Sequence, residues 1–399
     1  MSVSKIGFME LPSNGTQAAI LQAVRDSSPI SRTGIVSLTG QPHAAVSRSV
    51  AVLLQNGIIT ESALSDTAGP RRKRGIRLNP EFGYCIAVEY GPEAIEGVVI
   101  NTAYETLFTK TKKIHLAHLL PNDKIGHISA FVDELKAEVP VSIGRCLGLA
   151  AVDPGAIDRQ AGVALMSTTM EHWHNVPVVK ILESALNLPV MLLNTSVSKI
   201  RAIDRLELRG TSNNMIYIEY GEGIGCGLKL EGNYISGHSC LAGELGHVRF
   251  TDKSTVCACG GIGCLESVAA LPALAARAKL ALNKDSTSLL ADIKDIDGLA
   301  VLKAAGKDDR LASHIVDEAF DYLGRAISGL INILNPEIIL LDNSISVAGD
   351  EAVATLMRSI NKNILSWHLK SLDVRISKLT SHIGALGGAA AVMDRCLEH

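Results

Sequence analysis

One histidine and three cysteines occur close together in the sequence, with the spacing His-x9-Cys-x-Cys-x4-Cys. His247, Cys257, Cys259 and Cys264 offer one imidazole and three thiolates, a donor set that fills the tetrahedral shell of Zn²⁺. Because protein ligands would take all four coordination positions, the ion would be structural rather than catalytic. Buried free thiols beside a histidine are the alternative, but two cysteines separated by one residue favour the metal site.

A second group of candidate functional residues is basic and lies near the N-terminus. Residues 1–80 hold nine Lys/Arg and four Asp/Glu, a net charge of +5, so the remaining residues carry −8 of the total of −3. A small basic segment ahead of a larger acidic body indicates a polyanionic partner for that segment alone.

Apolar periodicity predicts three short helices in this segment, over residues 15–25, 32–38 and 42–56. Gly40 supplies a turn before the third helix, which has a polar leading face opposite its apolar side. This is the helix-turn-helix pattern, in which the leading face of the last helix contacts base edges in the major groove of double-stranded DNA. A helical module for protein interaction is the alternative. We expect the base contacts to come from four polar residues: Gln41, His43, Ser47 and Arg48.

Two short strand-like runs, residues 57–60 and 75–78, follow the helices and predict a hairpin, or wing. Cations at the tip of such a hairpin suit contacts with DNA phosphates or insertion into the minor groove. Taken alone, the same run equally fits a solvated charged loop. The tip carries four adjacent cations: Arg71, Arg72, Lys73 and Arg74.

The rest of the chain alternates strand-like and helical runs, which is typical of an α/β fold. Strand clusters near residues 84–100 and 215–230 indicate two related units, which we interpret as two lobes. Helices are predicted over residues 175–186, 266–282 and 311–334. The length of 399 residues fits two or three domains.

The sequence also bears on the compartment. No apolar run reaches the roughly 18 residues that a membrane span needs. The first residues lack the apolar core of a signal peptide. We therefore expect a cytoplasmic protein without a membrane partner.

With these motifs the sequence resembles the ROK family of repressors, open reading frames and sugar kinases. The most specific marks are the Gly-Glu-Leu-Gly-His run that ends at His247 and the Cys-x-Cys-Gly-x-x-Gly-Cys-Leu-Glu run that begins at Cys257. The helix-turn-helix and the Asn-Pro-x-x-Gly-Tyr run at residues 79–84 are similar to the repressor branch. The resemblance implies a winged helix-turn-helix followed by two actin-like, ribonuclease H-like lobes. The implied domains are residues 1–80, residues 81–194 plus 382–396, and residues 195–381.

The resemblance further implies a sugar between the two lobes, bound by Asn194, Glu244, His247 and Glu266. Carboxylates accept hydrogen bonds and amides both donate and accept them, which suits the hydroxyl groups of a sugar. His247 would bind the metal through one ring nitrogen and face the sugar with the other. Without the resemblance, Asn194 would fit a turn at a strand end, and Glu266 would fit a favourable charge at a helix N-terminus.

The resemblance also identifies what a kinase member needs, and each part is altered here. The catalytic Asp expected after the sugar-binding Asn is Thr195, whose hydroxyl is not a useful base. The first phosphate loop contains Pro92, which has no backbone N–H, between Glu89 and Glu93. The second phosphate loop contains Glu222 where phosphate charge would lie. We therefore expect no kinase activity.

Three functions follow from these observations. The first is a repressor of carbohydrate genes that binds an inverted-repeat operator as a homodimer or homotetramer and responds to a sugar. The second is an ATP-dependent sugar kinase with an appended DNA-binding domain. The third is a regulator controlled by a protein partner instead of a sugar. The altered kinase residues favour the first over the second, and nothing in the sequence separates the first from the third.

Overall fold

The computed structural model describes residues 8, 15–63, 74–167, 169–238, 240–252, 255–282 and 287–397. These residues form two compact units. Unit 1 contains the described residues up to Gly210 together with those from His382 onward, and unit 2 contains Thr211–Ser381. None of the helices in these ranges combines the length and apolar character that crossing a membrane requires.

Helices and strands alternate along most of the described chain. The helices, in chain order, are α1 (Gly15–Ser27), α2 (Arg32–Thr39), α3 (His43–Gln55), α4 (Pro121–Glu138), α5 (Val178–Leu186), α6 (Thr195–Ala202), α7 (Glu266–Ala269), α8 (Leu271–Ala281), α9 (Gly298–Ala305), α10 (Arg310–Leu334), α11 (Asp350–Asn363) and α12 (Ile383–Leu397). The strands are β1 (Ile59–Ala63), β2 (Arg74–Leu78), β3 (Gly83–Tyr90), β4 (Ala94–Asn101), β5 (Thr106–Lys113), β6 (Arg145–Asp153), β7 (Ala156–Asp158), β8 (Val163–Met166), β9 (His174–Val176), β10 (Val190–Asn194), β11 (Met215–Tyr220), β12 (Ile224–Leu230), β13 (Asn233–Tyr234), β14 (Ile338–Leu341) and β15 (Asp373–Ile376).

The N-terminal part of unit 1 is a three-helix segment, α1 to α3, followed by the hairpin of β1 and β2. The Ser31 side chain caps α2 by accepting a hydrogen bond from the backbone N–H of Gly34 at 3.0 Å. The chain leaves α2 at Gly40, whose left-handed φ of 65° turns it toward α3. The predicted helices and hairpin are therefore confirmed, with small shifts at their ends.

The sheet of unit 1 has the strand order β10-β6-β3-β4-β5, and α12 packs across it. Two glycines allow this close packing. A Cβ on Gly387 would overlap the backbone carbonyl of Ser198 in α6, and a Cβ on Gly388 would lie 3.0 Å from that of Ala150 in β6. Helix α12 therefore lies directly against both α6 and the sheet, which fixes the position of its C-terminal half.

The sheet of unit 2 has the order β13-β12-β11-β14-β15 and repeats the topology of the first. In each sheet the first strand is central, and the second and third strands add antiparallel on one side of it. The fourth and fifth strands add parallel on the other side. The prediction of two related α/β units is confirmed. The core of unit 2 is built largely on α10, with Phe320 and Leu323 fully buried.

Two of the predicted helices were wrong in their extent. The helix predicted from residue 175 begins at Val178, because Pro177 favours an extended conformation for the residue before it, and Val176 lies in β9. The helix predicted over 266–282 is two helices, with Ala270 extended between α7 and α8. Pro272 explains this break, since it suits the first turn of a helix and not its interior.

Candidate functional site

The side chains of His247, Cys257, Cys259 and Cys264 lie together in unit 2, and their ligand atoms are all within 4.8 Å of one another. The Sγ atoms of Cys259 and Cys264 are 3.8 Å apart, and Nδ1 of His247 is 3.6 Å from Sγ of Cys257. Bonds of about 2.3 Å to sulfur and about 2.0 Å to nitrogen around a tetrahedral ion place two sulfurs about 3.8 Å apart and a sulfur and a nitrogen about 3.5 Å apart. The donor atoms and their spacing therefore fit one Zn²⁺ ion.

Tight backbone turns bring these four side chains together. Gly263 has a φ of 73°, and a Cβ there would overlap the carbonyl of Thr251. The backbone N–H of Gly261 donates to Sγ of Cys259 at 3.4 Å and lowers the pKa of that thiol. Burial has the opposite effect on Cys257, whose pKa it raises to about 12. A bound divalent cation would stabilise both groups as thiolates, and acid would oppose its binding.

Two carboxylates, those of Glu244 and Glu266, lie beside the metal cluster. Oε2 of Glu244 is 3.7 Å from Nε2 of His247, the ring nitrogen on the far side from Cys257. Oε1 of Glu266 is 4.0 Å from Sγ of Cys257, and its Oε2 accepts from the backbone N–H of Ile224 at 3.2 Å. Desolvation raises the pKa of Glu244; His247 opposes this rise, and Glu266 adds to it. Three of the four residues predicted to bind sugar are thus grouped in unit 2.

The fourth, Asn194, lies in unit 1 at the end of β10. Its Oδ1 accepts from the backbone N–H of Ser196 at 2.9 Å and caps α6, and its Nδ2 donates to the carbonyl of Gly155 at 3.1 Å. The strand-end role that the sequence left open is therefore present. Its neighbour Thr195 is buried and donates to the carbonyl of Asp153 at 3.2 Å. That hydroxyl is already engaged with the backbone, and no base is paired with it among the described residues.

The β3–β4 turn, which the resemblance matches to the first phosphate loop of kinase members, is closed by backbone hydrogen bonds. The N–H of Gly91 donates to the carbonyl of Ala94 at 3.0 Å, and the carbonyl of Pro92 accepts from Leu116 at 2.7 Å. The Glu89 carboxylate packs against Gly384 in the first turn of α12. A helix N-terminus favours anions, so a carboxylate of the chain itself occupies this one. In unit 2, Glu222 is exposed in the β11–β12 turn.

Helix α3 presents polar side chains on the face opposite its buried apolar residues. His43 and Arg48 are exposed, and Ser47 lies between them with its Oγ 3.4 Å from Nδ1 of His43. Within the described ranges, Arg48 has no acidic partner. Gln41 precedes the helix and accepts a hydrogen bond from Thr16 of α1 at 3.4 Å. The four predicted base-contacting residues therefore line one end of α3, and Gln41 is also hydrogen-bonded to α1.

The hairpin is tied to α2 by a contact that the sequence did not indicate. Glu61 of β1 lies 2.7 Å from Arg74 of β2 and 3.1 Å from Arg32 at the start of α2. The hydrogen bond from Arg74 lowers the pKa of Glu61. Arg74 is nevertheless 78% exposed. The other predicted tip cations lie outside the described residues: Arg71, Arg72 and Lys73.

A buried ion-pair network, which sequence reasoning missed, joins the three-helix segment to the rest of unit 1. Asp394 of α12 is only 3% exposed and lies 3.1 Å from both Arg25 of α1 and Arg205, which follows α6. The hydroxyl of Tyr104 donates to the same carboxylate at 2.6 Å. Asp26 pairs with Arg25 at 2.7 Å. Arg25 and Asp394 are 369 positions apart in the sequence, so no local spacing marks the pair.

Comparison with known proteins relates the chain to one family and to several individual relatives. The sequence profile of the ROK family matches residues 85–395. A xylose repressor from Caldicellulosiruptor bescii is 26% identical over 384 residues, which cover 95% of this chain and 95% of the relative. A glucokinase from Thermotoga maritima is 30% identical over 246 residues, which cover 61% of this chain and 78% of the kinase. The alignment with the repressor leaves about 5% of this chain unmatched, which is fewer residues than α1 to α3 span. The alignment therefore extends into the three-helix segment.

The fold has a close counterpart among solved structures. A ROK family transcriptional regulator, described as a homologue of the E. coli MLC protein, superposes with a TM-score of 0.82 and covers 96% of each chain. The two sequences are 22% identical, so this likeness concerns the fold.

Proposed function

The chain belongs to the ROK family, and on this premise we propose that it is a sequence-specific DNA-binding regulator that represses carbohydrate genes and responds to a sugar. In this proposal the three-helix segment and hairpin are a winged helix-turn-helix, and the two α/β units carry the actin-like lobes of the sensor. The protein would act as a homodimer or homotetramer, in the cytoplasm with the chromosome.

The polar face of α3 is the observation that carries the proposal. Arg48 and His43 project from a helix whose other side is buried, and the preceding Gly40 turn sets this helix at an angle to α2. A helix held in this way can enter a major groove, where guanidinium and imidazole groups reach base edges. Alignment with a repressor over nearly the whole chain supports the same function.

Capture of genomic DNA tests the proposal directly. The purified protein is incubated with fragmented DNA of its source at near-physiological salt, and the bound fragments are sequenced. Enrichment of an inverted repeat is the expected result, because a symmetric dimer presents two α3 helices to successive major grooves. Uniform recovery that disappears with modest added salt would reflect phosphate attraction alone and would contradict the proposal.

Replacement of Arg48 by alanine should weaken binding to the enriched operator by about 1–3 kcal/mol, roughly 5- to 150-fold, because it removes a base-edge contact. The matched control is Arg358→Ala, an arginine of α11 that is 63% exposed. Fluorescence anisotropy with labelled operator measures both. Equal affinities of the two variants would exclude α3 as the helix that contacts bases.

We propose that Glu244, His247 and Glu266 of unit 2 bind the sugar, while the role of Asn194, which lies in unit 1, stays a prediction from the sequence. The grouping of the first three around one face of the metal cluster supports this assignment. Bound zinc would hold His247 through Nδ1 and so orient its Nε2. Glu266 also accepts a hydrogen bond from the backbone N–H of Ile224, so its replacement would disturb the local backbone as well. Glu244 is therefore the more suitable position for a test.

Replacement of Glu244 by glutamine should raise the sugar concentration that releases DNA by about tenfold or more, since a charge-assisted hydrogen bond is lost. DNA affinity without sugar should not change. The control is Glu351→Gln in α11, whose side chain is 82% exposed. Operator release is titrated with a panel of free sugars. If the Glu244 variant responds like the parent protein, the assigned pocket is wrong.

Two rival functions give different results in the same preparation. A sugar kinase would release ADP from ATP in the presence of its sugar, and the engaged hydroxyl of Thr195 argues against this. A regulator controlled by a protein would bind the operator normally and ignore every free sugar.

A further inference from the structure

A cavity of about 620 Å³ lies within unit 1 where the three-helix segment meets the sheet-bearing part. Its wall is formed by the end of α1, the β1–β2 hairpin, the β4–β5 turn and the residues that follow α6. None of the residues assigned above to DNA, sugar or zinc lines it. Four arginines line the cavity: Arg25, Arg77, Arg205 and Arg209. Two carboxylates, Asp26 and Glu105, also lie in the wall, so these six charged residues have a net charge of +2.

Two of these arginines are held in place by the Asp394 network. Arg25 is fixed by Asp26 at 2.7 Å and by Asp394 at 3.1 Å, and Arg205 is fixed by Asp394 at 3.1 Å. Their guanidinium groups are therefore oriented before any ligand arrives, which reduces the entropy lost on binding.

The other two arginines, Arg77 of β2 and Arg209, are exposed and have no acidic partner in the part of the chain that the structure describes. Arg209 has a left-handed φ of 53°, a conformation uncommon for a residue other than glycine. The cavity wall also includes Ser62, whose Oγ is buried and has no hydrogen-bond partner among the described residues.

We propose that this cavity binds a small dianion of the phosphate or phosphate-monoester class. Guanidinium groups match phosphate oxygens in charge and in bidentate geometry, and the volume lies within the range of about 300–1,000 Å³ typical of ligand pockets. The ligand lies between Arg77 of the hairpin and Arg209 of the sheet-bearing part.

The position of the cavity gives such a ligand a consequence for DNA. A dianion that contacts both the hairpin and the residues after α6 favours one orientation of the three-helix segment and hairpin relative to the rest of unit 1. Its binding is then coupled to DNA binding, and DNA changes the affinity for the dianion by the same factor. This second step rests on the proposed function, whereas the binding itself does not.

Binding is therefore measured first without DNA, on the full chain, by isothermal titration calorimetry at constant ionic strength. The probes are inorganic phosphate, a hexose 6-phosphate and the same hexose without phosphate. Phosphate should bind saturably, and the hexose phosphate should compete with it if a monoester is the preferred form. The double variant Arg77→Gln/Arg209→Gln should lose affinity for phosphate by about tenfold or more, and Arg358→Gln should not.

Two further variants keep the test valid if the double glutamine variant does not fold. Ser62→Asp places a negative charge in the wall and should abolish phosphate binding, while Arg77→Lys/Arg209→Lys should retain part of it. Absence of saturable phosphate binding to the parent protein, or equal binding by the double glutamine variant, would overturn the inference. Operator binding with and without phosphate then tests the coupling. Phosphate binding that leaves operator affinity unchanged would overturn the coupling alone.

Discussion

Replacement of Asp394 by asparagine should lower the free energy of unfolding of unit 1 by about 3–5 kcal/mol. The carboxylate is 3% exposed and faces the guanidinium groups of Arg25 and Arg205, which are 9% and 15% exposed. Asparagine keeps the shape but removes the negative charge, so Arg25, Arg201 and Arg205 lose the counter-charge that they share, and Arg25 and Arg205 keep only the more exposed Asp26. Removal of one partner of a buried pair costs far more than the pair itself contributes.

The two tryptophans of the chain allow this loss to be measured in unit 1. Trp173 of unit 1 is fully buried, and Trp367 of unit 2 is 76% exposed. Urea unfolding followed by fluorescence of a Trp367→Phe background therefore reports on unit 1. The control, Asp133→Asn in α4 of unit 1, alters a pair with Lys136 in which the Asp133 side chain is 63% exposed, and should change stability by less than about 0.5 kcal/mol. An Asp394 variant as stable as that control would show that the network does not hold unit 1 together.

Replacement of Cys259 by serine should reduce bound zinc from about one ion per chain to a small fraction, because a hydroxyl does not replace a thiolate ligand. Zinc binding in small zinc domains contributes about 10–16 kcal/mol, so its loss should loosen the 247–264 segment. Cys259 is the suitable position, since it is exposed and its replacement leaves no cavity in the core. The metal is counted by mass spectrometry, and the segment is probed by limited proteolysis.

Cys146→Ser is the matched control, because Cys146 is half-buried and belongs to unit 1, whereas the four candidate metal ligands belong to unit 2. It should keep its zinc and its resistance to proteolysis. Treatment of the parent protein with a chelator should reproduce the effect of Cys259→Ser. A parent protein without zinc, or a Cys259 variant that retains it, would contradict the metal assignment.

The sequence by itself determined the features that depend on local spacing. Four ligands within one short segment carry the signature of a tetrahedral ion, and the structure brings their donor atoms within 4.8 Å. The α1–α3 helices and the hairpin followed from apolar periodicity and from Gly40, because a helix repeats over a few residues. Even here local signals had limits, since the breaks at Pro177 and Pro272 changed two predicted helices.

The roles of single candidate residues depended on their surroundings. Asn194 is a helix cap as well as a proposed sugar ligand, and Glu266 accepts a backbone hydrogen bond from Ile224. The type of a residue determines which hydrogen bonds its side chain can form, and only the folded chain determines which of them are already formed.

Tertiary structure alone decided how the three-helix segment is attached to the rest of unit 1. Asp394 meets Arg25 and Arg205 because Gly387 and Gly388 allow α12 to lie against both α6 and the sheet. Arg77 and Arg209 face one cavity although they come from a hairpin and from the residues after a helix. Such contacts join positions far apart in the chain, where each residue is unremarkable in its own local sequence. Their energy arises from burial and from charges brought close together, and both exist only once the chain has folded.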